Sequence, residues 1–208
     1  MMQKLCKIIS YIFHPAIMPA VGYLLFFFLL SSESFGRRQI LLLSLIFLGT
    51  FVVPAFFLLT LRYTGLISSL NVNNRKERTI PFMFTTIFYT LLAYLMVQKV
   101  GYDIQVILLT GGVALSMCLT TLVTLFHKTS VHTIGISGLL GFLFGFQAAN
   151  TSLELLLPIV ILFFLTGVVM SSRLYLEAHT PNEVWSGFLI GFGTCFGVVA
   201  MVLQNAFI

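Results

Sequence analysis

The chain contains 208 residues, of which 59 % are hydrophobic and only 8 % carry a charge, and its mean hydropathy is +1.05. Soluble domains are about 45–50 % apolar and about 25 % charged. This composition therefore excludes a soluble globular domain and predicts one integral-membrane domain over residues 1–208. The net charge of +5 belongs to the loops and gives no argument for nucleic acid as a partner. The three cysteines lack metal-ligand spacing, so the sequence predicts neither a metal site nor a cofactor.

Seven continuous apolar runs predict seven membrane-spanning helices, because a helix needs about 20 residues to cross the bilayer core. Continuous rather than alternating runs favour an all-α transmembrane bundle over a β-barrel. The shortest run, 81–98, leaves a bundle of six spans open. The first run contains His14 and Pro15, and a histidine inside a membrane is either functional or paired with a neighbouring helix. The predicted spans are 8–31, 39–60, 81–98, 104–126, 132–149, 155–171 and 184–205.

The longest polar stretch, 62–79, follows the second predicted span and carries three cations close to the start of the third. Arginine forms bidentate hydrogen bonds to phosphate, and lysine adds a point charge. Arg75, Lys76 and Arg78 therefore form a candidate phosphate site. The alternative is a cationic loop that only orients the protein in the membrane.

A second polar cluster, from His127 to His132, separates the fourth and fifth predicted spans. Glycines recur every three or four residues after His132, and small residues at this spacing let membrane helices pack closely. The seventh span carries a similar glycine face. We expect the two faces to pack together, which brings His132 near His179 and favours His132 over His127. The glycines are Gly135, Gly138, Gly141 and Gly145 in one span, and Gly187, Gly191, Gly193 and Gly197 in the other.

The third polar cluster lies between the last two apolar runs and contains Arg173, His179 and Glu183. Charged groups beside apolar spans are costly and usually have a function. A structural interpretation is also open, because Thr180 can cap a helix that begins at Pro181, with Glu183 closing a capping box. That interpretation does not explain why a histidine immediately precedes the cap.

The spacing of this third cluster resembles the third signature of the phosphatidic-acid-phosphatase type 2 (PAP2) superfamily, Ser-Arg-x5-His-x3-Asp, with Glu183 in place of Asp. The second signature, Pro-Ser-Gly-His, is similar to residues 129–132, which keep Ser130 and His132 in register. The first signature, Lys-x6-Arg-Pro, is only loosely matched, because Asn71 stands at the position of the Lys and Pro81 is not adjacent to Arg78. The resemblance covers about residues 60–200.

This resemblance implies a PAP2-like core of six helices and a metal-independent hydrolase that acts on a lipid phosphate through a phosphohistidine. The implied substrates are isoprenyl diphosphates, phosphatidate and similar lipids, so the expected partners are a lipid phosphate and the membrane. By resemblance, His179 is the nucleophile, Glu183 supports it, and His132 protonates the leaving oxygen. The implied phosphate-binding residues are Arg173, Arg78, Lys76 or Arg75, and Ser130.

Seven spans would place all three polar clusters on one side of the membrane. Eight Lys and Arg residues then lie on that side and three on the other, which by the positive-inside rule points to the cytoplasm. Five of the eight, however, belong to the candidate site. The resemblance implies a bacterial cytoplasmic membrane and a site on the periplasmic face, and we expect that orientation.

Two other classes of function are compatible with the sequence. A non-hydrolytic relative of the same fold, either a phosphotransferase or a lipid-binding protein, would explain the divergent first and second signatures. A small transporter would also contain histidine and arginine within a membrane chain. The polar residues, however, cluster at the ends of spans rather than along a path through the membrane, which favours the phosphatase.

Overall fold

The computed structural model describes residues 1–31, 34–70, 72, 74–99, 104–151 and 154–206. Across these residues the chain forms helices joined by short connections and contains no strand, which confirms the predicted all-α bundle. The helices are α1 (Met2–Ile12), α2 (Met18–Leu30), α3 (Arg37–Tyr63), α4 (Arg75–Lys99), α5 (Ile104–Thr124), α6 (Val131–Ala149), α7 (Leu156–Tyr175) and α8 (Pro181–Ala206).

Within the described ranges, the six helices α3 to α8 are long and apolar enough to cross a membrane. The predicted span 81–98 is confirmed as part of α4, which begins earlier, at Arg75. The predicted continuous span 8–31 is wrong, because the helix ends at Ile12 and a new one begins at Met18. Pro15 lacks an N–H and disfavours helical geometry at the preceding residue. The 13 residues of α2 extend about 20 Å, less than the roughly 30 Å of a bilayer core.

A π-helical turn over Leu48–Val52 interrupts α3 just before Pro54. Proline has no N–H to donate to the carbonyl four residues earlier, so the carbonyl of Thr50 loses its helical partner. The hydroxyl of Tyr89 on α4 donates to that carbonyl at 2.9 Å. This bond from a neighbouring helix satisfies a backbone group that lipid could not.

Helix α6 is the central element of the bundle. In the apolar stretch of α6 that could span a membrane, 67 % is buried inside the protein. The corresponding stretches of the other five long helices are between 22 % and 44 % buried. Helix α6 packs most extensively on α8, as the glycine faces predicted. A Cβ atom added to Gly141 would overlap the backbone of Phe192, and one added to Gly187 would lie 2.8 Å from the carbonyl oxygen of Ser130. Only glycine permits this approach, which fixes the first turns of α6 and α8 beside each other.

Three connections between long helices meet at one end of the bundle. The Arg75 side chain, at the start of α4, donates to the carbonyl of Leu125 after α5. The Ser130 N–H, before α6, donates to the carbonyl of Glu183 in the first turn of α8 at 3.0 Å. The three polar clusters of the sequence, although distant in the chain, therefore lie at the same end of the structure.

Candidate active site

A short loop, 176–180, connects α7 to α8 and places His179 immediately before the capped start of α8. The Glu183 N–H donates to the hydroxyl of Thr180 at 3.4 Å, and the Thr180 N–H donates to Glu183 Oε2 at 3.3 Å. The same Oε2 lies 2.7 Å from Nδ1 of His179. The sequence left a capping box and a histidine partner as alternatives, and one carboxylate serves both.

The environment of His179 favours the neutral imidazole. Its side chain is buried, and burial lowers the pKa of His179 to about 3, with the positive charges of Lys128, Arg78 and Arg173 acting in the same direction. An ionised carboxylate only accepts hydrogen bonds. The proton of the neutral ring therefore sits on Nδ1 and is donated to Glu183, which leaves the lone pair of Nε2 free to act as a nucleophile.

Arg78 is held by backbone carbonyls from two different connections. Its Nε donates to Val72 at 2.8 Å and its Nη1 donates to Thr129 at 3.1 Å. The guanidinium lies 5.9 Å from the ring centroid of Phe82, and the residue is only 5 % exposed. Val72 adopts a left-handed backbone with φ 42°, which a β-branched residue rarely does and which is typical of a functional site. These contacts fix a buried positive charge before any ligand binds.

Two further cations flank the histidine. Lys128 donates from Nζ to the carbonyl of Ala178 at 3.1 Å and lies 3.9 Å from Glu183 Oε2. Burial lowers the pKa of Lys128, and the charge of Glu183 opposes that shift. Arg173, at the end of α7, donates from Nη1 to the hydroxyl of Ser10 at 3.0 Å. Its Nε is buried and has no hydrogen-bond partner among the described residues.

His132 occupies the first turn of α6. Its ring is 5.9 Å from the ring of His14, in an edge-on arrangement. The ring lines the same cavity as Ser10, Arg173 and His179. Nδ1 of His132 is buried and finds no partner in the described part of the chain. Buried polar groups in proteins are normally hydrogen-bonded. The unpartnered nitrogens of His132 and Arg173 therefore indicate that a ligand would supply their hydrogen-bond partners.

These groups line one cavity of about 890 Å³ that extends from the polar end of the bundle into its apolar interior. Binding sites for small ligands in proteins have about this volume. The polar end is suited to an anion and the apolar end to a hydrocarbon chain. The polar lining includes Arg78, Lys128, His132, Arg173 and His179, and the apolar lining includes Leu109, Val113, Met117 and Leu139.

The structure does not bring every predicted residue to this cavity. Arg75, Lys76 and Ser130 do not line it, although Ser130 connects α6 to α8 through its backbone. Glu183 contacts the site through His179 and Lys128. Asn71, at the position of the first-signature lysine, lies outside the described residues. Sequence reasoning missed Lys128, and its position four residues before His132 in a polar connection is the signal that indicates it.

Among the described residues, no three histidine, cysteine, aspartate or glutamate side chains come together as a metal site would require. Comparisons with protein-family models, with curated proteins and with solved structures find no match for this chain. Fold and site together define a polytopic helical membrane protein with a buried histidine–carboxylate pair and three cations at one end of the bundle.

Proposed function

We propose that the protein is a membrane lipid phosphatase of the PAP2 kind, which cleaves a phosphate or diphosphate monoester through a phosphohistidine. The observation that carries the proposal is the 2.7 Å contact between His179 Nδ1 and Glu183 Oε2, beside a cavity that His132 and three cations share. Phosphoryl transfer depends mainly on positioning and on stabilising negative charge. The site offers both, together with a neutral nucleophile.

In the first step, the lone pair of His179 Nε2 attacks phosphorus in line with the leaving oxygen. The P–N bond forms, the P–O bond to the lipid breaks, and its electron pair leaves with the oxygen. His132, which is protonated once the negative charge of the phosphate is bound beside it, donates a proton to that oxygen. The ring of His179 becomes positively charged. Glu183 stabilises that charge through the proton on Nδ1.

In the second step, water attacks the phosphohistidine and gives a proton to His132, which is neutral after the first step. The P–N bond breaks, its electron pair returns to Nε2, and inorganic phosphate leaves. Arg78, Lys128 and Arg173 hold the phosphate oxygens in both steps and offset their charge. Lys128 thereby replaces Lys76 or Arg75 as the third cation.

The substrate class follows from the shape of the cavity. An anion bound at its polar end places a hydrocarbon chain along its apolar lining. Isoprenyl diphosphates, phosphatidate and similar lipids meet this requirement. The proposal also assigns the protein to a bacterial cytoplasmic membrane, with the site on the periplasmic face.

The test is phosphate release by purified protein from a panel of isoprenyl diphosphates, phosphatidate and phosphatidylglycerol phosphate, with EDTA present. We expect release by the wild type and none by His179→Ala. Lys76→Ala, which removes a cation of the same end of the bundle that does not line the cavity, is the matched control. Release that survives in His179→Ala would contradict the mechanism. No release by folded wild type would favour the non-hydrolytic alternatives.

A further inference from the structure

Helix α1 has two different faces, although it is only 11 residues long. Cys6 and Ser10 are buried, whereas Leu5, Ile8 and Tyr11 are exposed. An amphipathic helix with an outward apolar face lies in the interface of a membrane. Because Ser10 contacts Arg173, this interface is the one at which the candidate site lies.

Ser10 links α1 to the site through its hydroxyl. Its hydroxyl accepts a hydrogen bond from Arg173 Nη1 at 3.0 Å and donates to the carbonyl of Cys6 at 3.0 Å. Ser10 also lines the cavity together with His132 of α6. Arg173 belongs to α7, so a residue of α1 holds a functional group of a separate helix.

The directions of the two hydrogen bonds made by the Ser10 hydroxyl are fixed. A serine hydroxyl has one proton, and the bond to Cys6 uses it, so an oxygen lone pair faces the guanidinium of Arg173. A free arginine side chain has many rotamers, and ordering it on ligand binding costs free energy. The bond to Ser10 orders it beforehand. Nε of Arg173 is buried without a partner among the described residues, and a phosphate oxygen would satisfy it.

We propose that Ser10 is a positioning residue of the phosphate site, through which α1 holds the guanidinium of Arg173 in its working orientation. The proposal rests on the proposed function, because it assigns Arg173 to the phosphate. It makes α1 a wall of the site rather than only an attachment to the membrane. No signature of the three sequence clusters includes this helix.

The experiment compares Ser10→Ala, Ser10→Thr and wild type in the full chain. Two quantities are measured, the kinetics of phosphate release from the lipid that the wild type hydrolyses and the Kd for inorganic phosphate. Thr166→Val is the matched control, because Thr166 is buried and donates to the carbonyl four residues earlier, as Ser10 does, yet it does not line the cavity. Thermal midpoints of all four proteins report general damage.

In Ser10→Ala we expect the Kd for inorganic phosphate and the KM to rise about tenfold, because the hydrogen bond that orders the charged Arg173 side chain is lost. Ser10→Thr should restore both to within about threefold, and Thr166→Val should leave both unchanged. If the wild type binds phosphate but hydrolyses no lipid, the hydrolytic function is contradicted. The Kd for inorganic phosphate would in that case still test whether Ser10 positions Arg173. Unchanged phosphate binding in Ser10→Ala, an equal loss in Thr166→Val, or wild type that binds no phosphate would overturn the proposal.

Discussion

Replacement of Glu183 by glutamine separates the two roles of this side chain. Glutamine is nearly isosteric, and it is as suitable as glutamate at the third position of a capped helix. The bonds with Thr180 at 3.3 and 3.4 Å can therefore persist. The negative charge beside His179 is lost. The variant should retain its fold and lose part of the stabilisation that the phosphohistidine receives.

The magnitude follows from the geometry. A unit charge about 4 Å from another contributes about 4 kcal/mol at an effective dielectric constant of about 20, and His179 gains its positive charge only during the reaction. The neutral amide still accepts a hydrogen bond from Nδ1, which retains about 1 kcal/mol. The barrier should therefore rise by about 2–4 kcal/mol, or about 30- to 1000-fold in kcat.

The assay is steady-state phosphate release by Glu183→Gln, with Glu154→Gln as a charge-matched control at an exposed position. We expect a fall in kcat, a small change in KM, and a thermal midpoint within a few degrees of wild type. A kcat within threefold of wild type would refute a role for the carboxylate in stabilising charge. An equal loss in both variants would show that the effect is not local.

Three further predictions concern other contacts. His179 should keep its neutral form between pH 8 and pH 5 in ¹⁵N NMR spectra, because its pKa is lowered to about 3; a midpoint near 6.5 would contradict this. The folded protein therefore takes up this proton at a lower pH than the unfolded chain does. As the pH drops from about 6.5 toward 3, the free energy of unfolding should fall by up to about 1.4 kcal/mol per pH unit from this group. Gly141→Ala should lower the thermal midpoint, with a cost of about 1–3 kcal/mol, because its Cβ would overlap Phe192, whereas Gly193→Ala, in open space, should not. Arg78→Lys should weaken phosphate binding about tenfold despite the retained charge, because lysine cannot keep both backbone contacts of the guanidinium; wild-type affinity in this variant would exclude a role for the planar fork.

The sequence predicts most of the fold because lipid imposes a simple rule on apolar runs. Six of the seven predicted spans coincide with long helices of the structure, although 104–126 extends past the end of α5 at Thr124 and 155–171 begins one residue before α7. The prediction of one continuous helix in the first run is wrong at Pro15. The composition there remains apolar, but the backbone cannot continue as a helix. The glycine spacing predicts the contact between α6 and α8, because a missing side chain leaves a space that only a close backbone can fill.

The site is predictable only where local geometry determines it. His179 immediately precedes the cap of α8 and Glu183 closes the capping box, so the local geometry of the helix start brings them together, and their atoms meet at 2.7 Å. Lys128 reaches the site because its connection folds against the carbonyl of Ala178, a contact 50 residues away in the chain. Ser10 depends on a contact across 163 residues. The position of Lys128 in a polar connection marks it as a candidate, but no spacing within one segment encodes either contact.

The central claim is that phosphate is transferred to His179. The most direct measurement is rapid quenching of the reaction in alkali, where phosphohistidine is stable, followed by mass spectrometry of the peptide that contains this residue. We predict one phosphate on His179, bound to Nε2 because Glu183 occupies Nδ1, and no phosphate on the same peptide in His179→Ala. Release of phosphate from substrate without any phosphorylated His179, or with the phosphate on another residue, would contradict the account.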